Sequence, residues 1–473
     1  MNILVRKIQD NRLIKTLGII ILVILMGYFL GKAALDPGKA RLLIASSFIF
    51  ILIVFSIRKP ALALYLLILY LPFLGLFRRA LIPVAGWNTL DPLVIVGPAV
   101  VLILVFKWFY DKSIHREIIA DDTRLFQLIR WMLLIDCIQI FNPIQGSLFT
   151  GIAGIIFYIV PIGYMILGRE YIDEKKIKMI FATVFFIGVI VALYGFKQYF
   201  YGYYPFEDMW VELSGYTALK VYGVMRPIST FTSASEYAHY LGIAIVIAWA
   251  YILRSGIVAK IFGIVGLLLL YSALFTESAR GAIVTATLAL VIISIVNSKK
   301  LSNKILVSLI ACGVMTGMFF AMSKLNTEND LIYHSVVGLT DPMGEESTTL
   351  GHYNLMIDGF LKGFTNPLGH GLGSTTIAAG KFSGSAVSSE VDLSNKFLAT
   401  GIVGGILYLI IMIKILFIAF KQANSSIVHL VILGVLFSQA GQWLNGGHYS
   451  VVGLIWIMIG YLDKNSTKKE VYL

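Results

Sequence analysis

Two arginines, Arg226 and Arg280, stand in short polar stretches beside long apolar segments, and both side chains suit the same chemistry. A guanidinium offers a planar fork of donors that matches phosphate oxygens, and it stays charged at any working pH. Two of them at headgroup depth on one membrane surface would suit a lipid-linked diphosphate. Each also has a plainer use: Arg280 follows Glu277 by three residues and can pair with it, and Arg226 can anchor a lipid phosphate. A second set of reactive groups lies in the polar stretch from Ser323 to Ser394, which carries His334, His352, His370, Glu390 and Asp392. Glu390 or Asp392 can take a proton from an attacking hydroxyl, or either can simply be a favourable acid at a helix N-terminus. His352 and His370 are candidate substrate contacts or solvated loop residues. The sequence has no metal-ligand spacing and no Gly-x-Ser-x-Gly elbow, so neither a metal nor a cofactor is expected. Gly369-His370-Gly371-Leu372-Gly373 lacks the full spacing of a nucleotide loop and reads as a flexible turn.

The elements that must position these groups are membrane helices. The chain of 473 residues is 58% hydrophobic and only 14% charged, with a mean hydropathy of +0.84. Soluble domains carry about 25% charged residues, so a soluble core is excluded. Spans of mostly apolar residues are read at 16–31, 42–57, 61–77, 93–109, 125–142, 152–168, 178–200, 236–253, 260–276, 281–297, 305–323, 395–420, 427–443 and 450–462. The expectation is an all-α integral membrane protein of about 12–14 transmembrane helices, a single polytopic domain over 1–473. It has an outer aromatic loop at 201–235 and one long extracytoplasmic loop at 324–394. The first apolar run lacks a small-residue cleavage site and reads as a span, not a signal peptide.

Lysine and arginine alternate between loops so that both termini are cytoplasmic and the two long loops lie outside, with Arg78 and Arg79 against the rule. The net charge of +12 therefore reflects topology, and no nucleic-acid partner is expected. Cys137 and Cys312 both fall in apolar runs, which gives no disulfide framework. Asp136 is the one deep acid read within a span, and is either functional or a buried hydrogen-bond partner. The run Tyr199, Phe200, Tyr201, Tyr203, Tyr204, Phe206 and Trp210 is either an interfacial anchor or a stacking platform for sugar rings. Between Tyr353 and Phe364, Leu355, Met356, Phe360, Leu361 and Phe364 fall largely on one helical face, as in a surface-lying helix ended by Pro367.

Several of these stretches together resemble the O-antigen ligase and polymerase family, multi-spanning bacterial enzymes that move glycans from an undecaprenyl diphosphate carrier. The matching stretches are RPISTFTSASEYAHYLG from Arg226, TESARGA from Thr276, Gly351 to Ser374 ending in NPLGHGLGS, and EVDLSNKFLATGIVG from Glu390, with the long outer loop in the expected place. The resemblance covers about the C-terminal half. It implies that Arg226 and Arg280 hold the donor diphosphate. The ligase branch has a His eleven residues before the first Gly of Gly-x-x-Gly; counting back from Gly401 lands on Glu390, a departure that favours the polymerase branch. His352 falls about where many members carry another Arg. The implied activity is metal-independent glycosyl transfer between lipid-linked units at the outer face of the bacterial cytoplasmic membrane, with Glu390 or Asp392 as base. A ligase with a different acceptor is the alternative, and a flippase or transporter the rival class. The implied partners are lipid-linked oligosaccharide donor and acceptor, membrane lipids, a flippase and a chain-length regulator.

Overall fold

The computed structural model describes residues 37–114 apart from Thr89, 123–310 apart from 217, 218 and 222, Gly313, 330–341, Gly344, 349–444 apart from 385, 388 and 390, and 447–470. The predicted span at 16–31, Cys312, most of the span at 305–323 and Glu390 lie outside the described residues.

The described residues form an all-α bundle with one two-stranded hairpin. Its helices are α1 (Pro37–Arg58), α2 (Pro60–Tyr70), α3 (Leu74–Ala80), α4 (Val96–Ile114), α5 (Arg124–Gln139), α6 (Leu148–Tyr171) and α7 (Glu174–Tyr201), then α8 (Pro205–Ser214) and the hairpin β1 (Lys220–Val221) and β2 (Val224–Met225). The order continues with α9 (Ala234–Arg254), α10 (Ile257–Glu277), α11 (Arg280–Asn297), α12 (Asp330–Thr340), α13 (Thr349–Thr365), α14 (Ile377–Phe382), α15 (Asp392–Gln422), α16 (Ile427–Ser438) and α17 (Tyr449–Glu470). Among the described residues nine helical stretches are long and apolar enough to cross a membrane. The predicted spans at 125–142, 427–443 and 450–462 fall on α5, α16 and α17, which are not among the nine.

Local chemistry sets the helix starts. Proline opens α1, α2 and α8, where its missing N–H is no loss. Ser147, Asp173, Ser233 and Ser426 cap α6, α7, α9 and α16 by accepting from backbone N–H groups. The close packing of α6 on α17 depends on Gly168 and Gly460, where a β-carbon would meet the backbone oxygens of Ile457 and Met165 at 2.4 and 2.1 Å.

The predicted long loop is itself folded, since 324–394 contains α12, α13 and α14. α13 packs on α15 through Gly363, Phe360 and Phe364, whose rings lie 5.4 and 5.3 Å from that of Phe397. Leu355 and Leu361, read from the sequence as part of the same apolar face, are instead exposed. In the aromatic loop, Phe200 and Tyr201 are exposed, but Trp210 is buried in a small core with Ile82, Leu219, Ile228 and Ala234.

Arg78 and Arg79 are consumed by local ion pairs on the face that carries the 201–235 segment. Arg41 and Arg78 share Asp91 at 2.5 and 3.3 Å. Arg79 is buried 3.5 Å from Glu207 and donates to the carbonyls of Ser229 and Phe231.

Asp136, the deep acid read from the sequence, takes the second of its two readings, that of a buried hydrogen-bond partner. Lys396 of α15 and Asp136 of α5 form a completely buried ion pair at 2.5 Å. Lys396 Nζ also lies 4.6 Å from the Tyr158 ring centre, while Asp136 Oδ2 has no hydrogen-bond partner among the described residues.

Candidate functional site

Arg226 sits where the hairpin hands over to α9. Its N–H donates to the Leu219 carbonyl at 2.9 Å, and its carbonyl accepts from the Tyr203 hydroxyl at 2.5 Å. The next residues are held as tightly: Gln198 Oε1 accepts from Ile228 N and Ser229 N at 3.0 and 2.6 Å, and Arg79 caps the carbonyls that follow. The segment after Arg226 is thus a buried coil whose backbone groups are satisfied by side chains from α3 and α7.

The guanidinium of Arg226 grips the C-terminus of α10. Its Nε donates to the Glu277 carbonyl at 3.1 Å and its Nη2 to Glu277 Oε1 at 2.5 Å. Glu277 is fully buried, and its other oxygen accepts from Ala279 N at 2.9 Å. The described partner of Glu277 is therefore Arg226, 51 residues away in sequence, in place of the i, i+3 pairing with Arg280 open from spacing alone. Ser278, in the left-handed conformation at φ 70°, ends α10 and turns the chain so that Arg280 opens α11.

The described contact of the Arg280 side chain is with α12. It crosses that helix at Gly338, where a β-carbon would lie 1.7 Å from Nη1 and 2.1 Å from Cδ. One turn earlier on the same helix, His334 lies within the fields of both arginines. Burial, then Arg280, then Arg226 push its imidazole down from 6.5 to about 4, so it is neutral at physiological pH. Helix α12 thus lies over the arginines, bringing a small residue and a neutral base from the 324–394 segment.

The other sequence candidates are placed elsewhere. Asp392 opens α15 in a buried seat, its Oδ2 accepting from Leu444 N at 2.9 Å while its own N–H donates to the Gly441 carbonyl at 3.0 Å. Its described contacts clamp α15 to the turn before α17, and none reaches the arginines. Neighbouring Ser389 bonds the Leu355 carbonyl at 2.9 Å and Ser394 Oγ at 2.7 Å. His352 is exposed on α13.

His370 belongs to an interlock. Helix α15 is broken at Gly401, with φ 70° and ψ −168°. The carbonyls of Leu398 and Ala399 accept from His370 N and Gly371 N at 2.8 and 3.0 Å, and Ile402 N donates to the Pro367 carbonyl at 3.2 Å. The Pro-Leu-Gly-x-Gly turn thus supplies the backbone partners that the break takes away. Gly401 is needed twice over, for its positive φ and because a β-carbon would sit 2.0 Å from the Pro367 oxygen. His370 Nδ1 stays 3.2 Å from the Leu398 carbonyl, so this histidine is a constituent of the interlock.

Sequence reasoning named both arginines but gave no role to His334. The available signal was spacing: His334 and Gly338 are four apart in a short amphipathic segment, and so share a face once α12 forms. Among the described residues no group of three His, Cys, Asp or Glu side chains is arranged to hold a metal. No protein-family model and no curated protein matches the chain.

Proposed function

We propose that this chain is a membrane glycosyltransferase that lengthens a surface polysaccharide by joining undecaprenyl-diphosphate-linked oligosaccharide units at the outer face of the bacterial cytoplasmic membrane. The observation that carries this reading is the meeting of Arg226 and Arg280 on one face of the bundle beneath His334. The multi-motif resemblance set out above supports it, as does the alternation of basic loops, which assigns that face to the outside. In this reading α5, α16 and α17 also cross, and both termini are cytoplasmic.

The chemistry is displacement at an anomeric carbon. An acceptor sugar hydroxyl attacks, its proton passes to a base, and the donor diphosphate leaves with the bonding electron pair. Arg280 and Arg226 meet the negative charge that builds on the leaving diphosphate. His334 is the group beside them able to take the proton, because an imidazole can act as base only when neutral. This moves the base from Asp392, whose carboxylate is occupied by Leu444. Glu390 is the alternative base that the resemblance implies, and Glu390→Gln with loss of turnover and an unchanged His334 pH limb would select it.

The test is chain elongation by the purified protein in liposomes, supplied with a lipid-diphosphate-linked oligosaccharide and read as product length on a gel. Growth by whole units is expected. Transfer to a non-repeat acceptor without growth would select the ligase alternative, and no transfer at all from a folded protein would end the proposal.

His334 gives this reading a pH signature. kcat/KM, which reports the donor-free enzyme, should fall as pH drops through about 4, because only then does His334 acquire its proton. A bound diphosphate offsets both guanidiniums and raises the proton affinity, so the acid limb of kcat should lie above that of kcat/KM. His334→Asn should lower kcat by roughly 10²- to 10⁴-fold and erase both limbs. A variant with the wild-type pH profile would remove His334 from the mechanism.

Gly338→Ala separates positioning from folding. The added carbon meets the far part of the Arg280 side chain and no backbone, and alanine favours a helix by about 1 kcal/mol over glycine. The unfolding temperature should stay close to that of the wild type while elongation slows at least about tenfold, the effect of a misplaced charge-assisted donor worth roughly 1.4 kcal/mol. Unchanged elongation would show that Arg280 works equally well displaced.

A further inference from the structure

The opposite end of the same helices carries a second, differently built cationic site. Helices α9 and α11 begin at the Arg226 and Arg280 face and end at Arg254 and Asn297. With 21 residues in α9, that end lies about 31 Å away along the helix. Here α9, the segment after α11 and the turn between α15 and α16 border an open cleft of about 930 Å³, lined by Arg254, Lys299, Lys300, Lys304, Asn297 and Asn424 among others.

Three features point to an anion. Arg254 is aimed by neutral partners: its Nε donates to Asn297 Oδ1 at 2.7 Å and its Nη2 to Asn424 Oδ1 at 3.2 Å. These amides orient the guanidinium without cancelling its charge. The lining holds four cations and no carboxylate. The volume is that of a ligand site, for which about 300–1,000 Å³ is usual.

The surroundings then choose among anions. The cleft adjoins the apolar helix Leu301–Ile310, whose Leu301, Ile305, Leu306, Leu309 and Ile310 are all more than half exposed. A soluble phosphate has no use for such a strip, whereas a lipid can lay its acyl chains along it. The nearest exposed part of the strip, Leu301, follows Lys300 directly.

We propose that this cleft binds the phosphate headgroup of an anionic phospholipid from the leaflet opposite the arginine face, with Arg254 and the three lysines on the phosphate and the Leu301–Ile310 strip against the acyl chains. The site is independent of the glycosyl-transfer reading. Basic clefts between membrane helices favour such headgroups, and each lysine near the surface contributes roughly a fivefold gain in affinity.

The test compares phosphatidylglycerol with phosphatidylcholine, added at equal mole fraction to the full-length protein in detergent. Retained lipid is read by native mass spectrometry and stability by the unfolding temperature. Phosphatidylglycerol should be retained and should raise the unfolding temperature, and phosphatidylcholine should do neither. Lys299→Gln/Lys300→Gln/Lys304→Gln, all surface changes, should weaken retention about a hundredfold. Lys175→Gln/Lys176→Gln, at the start of α7, should leave it unchanged. Three results would overturn the proposal: equal retention of the two lipids, wild-type retention by the triple variant, or reproduction of the whole shift by inorganic phosphate without lipid.

Discussion

Arg280→Ala is expected to lower elongation by about 10²- to 10³-fold in kcat with little change in the amount of folded protein. That is the cost of removing one preorganised donor from a site of developing negative charge, roughly 2.7–4 kcal/mol. Arg280→Lys keeps the charge but loses the fork, and should recover most of the binding while leaving turnover about tenfold down. Arg226→Ala is a blunter tool. Arg226 holds the buried Glu277 carboxylate at 2.5 Å, so its removal strands a charge in the interior and unfolds as well as inactivates. Single-turnover kinetics on detergent-purified protein, with the unfolding temperature measured beside them, checks all three. Wild-type turnover by Arg280→Ala would dismiss the diphosphate role.

Lys396→Met should be strongly destabilising. It leaves Asp136 buried with no partner among the described residues, a loss of about 3–5 kcal/mol where one member of a buried pair is removed. The double variant Asp136→Leu/Lys396→Met should recover to near the wild-type unfolding temperature, since replacing both charges by apolar groups is often neutral or stabilising. It also discriminates between function classes. If the pair only joins α5 to α15, the double variant elongates glycans normally. If it carries ions or protons, as a transporter would require, glycan translocation in proteoliposomes vanishes while the fold survives, so elongation and translocation assays beside a thermal-unfolding curve separate the two.

The sequence carried most of the helical architecture because one physical term dominates it: an unpaired backbone group in lipid is so costly that apolar length alone marks the helices. The boundaries of α7, α9, α10 and α11 follow directly from that. What length could not convey was pairing between distant positions. Glu277 had two arginines within plausible reach, and only the folded hairpin decides that Arg226 takes it. Lys396 looked like the start of a span until α5 placed Asp136 opposite it. The 324–394 stretch read as a loop because its helices are short and only partly apolar, so the role of His334 waited on α12 lying over Arg280. His370 and Asp392 drew notice for their chemistry, yet their surroundings employ His370 in the interlock and Asp392 as a clamp.

The break at Gly401 ties together two parts of the chain made at different times. Pro367 is synthesised 35 residues before Ile402, whose amide it accepts. The ribosome therefore delivers the patch before the gap it will close, and the upper turns of α15 have no complete backbone partnership until that earlier stretch has found them. Nucleation of the last three helices is coupled to the docking of an upstream turn, so an error there would surface as faulty assembly of helices that the turn precedes.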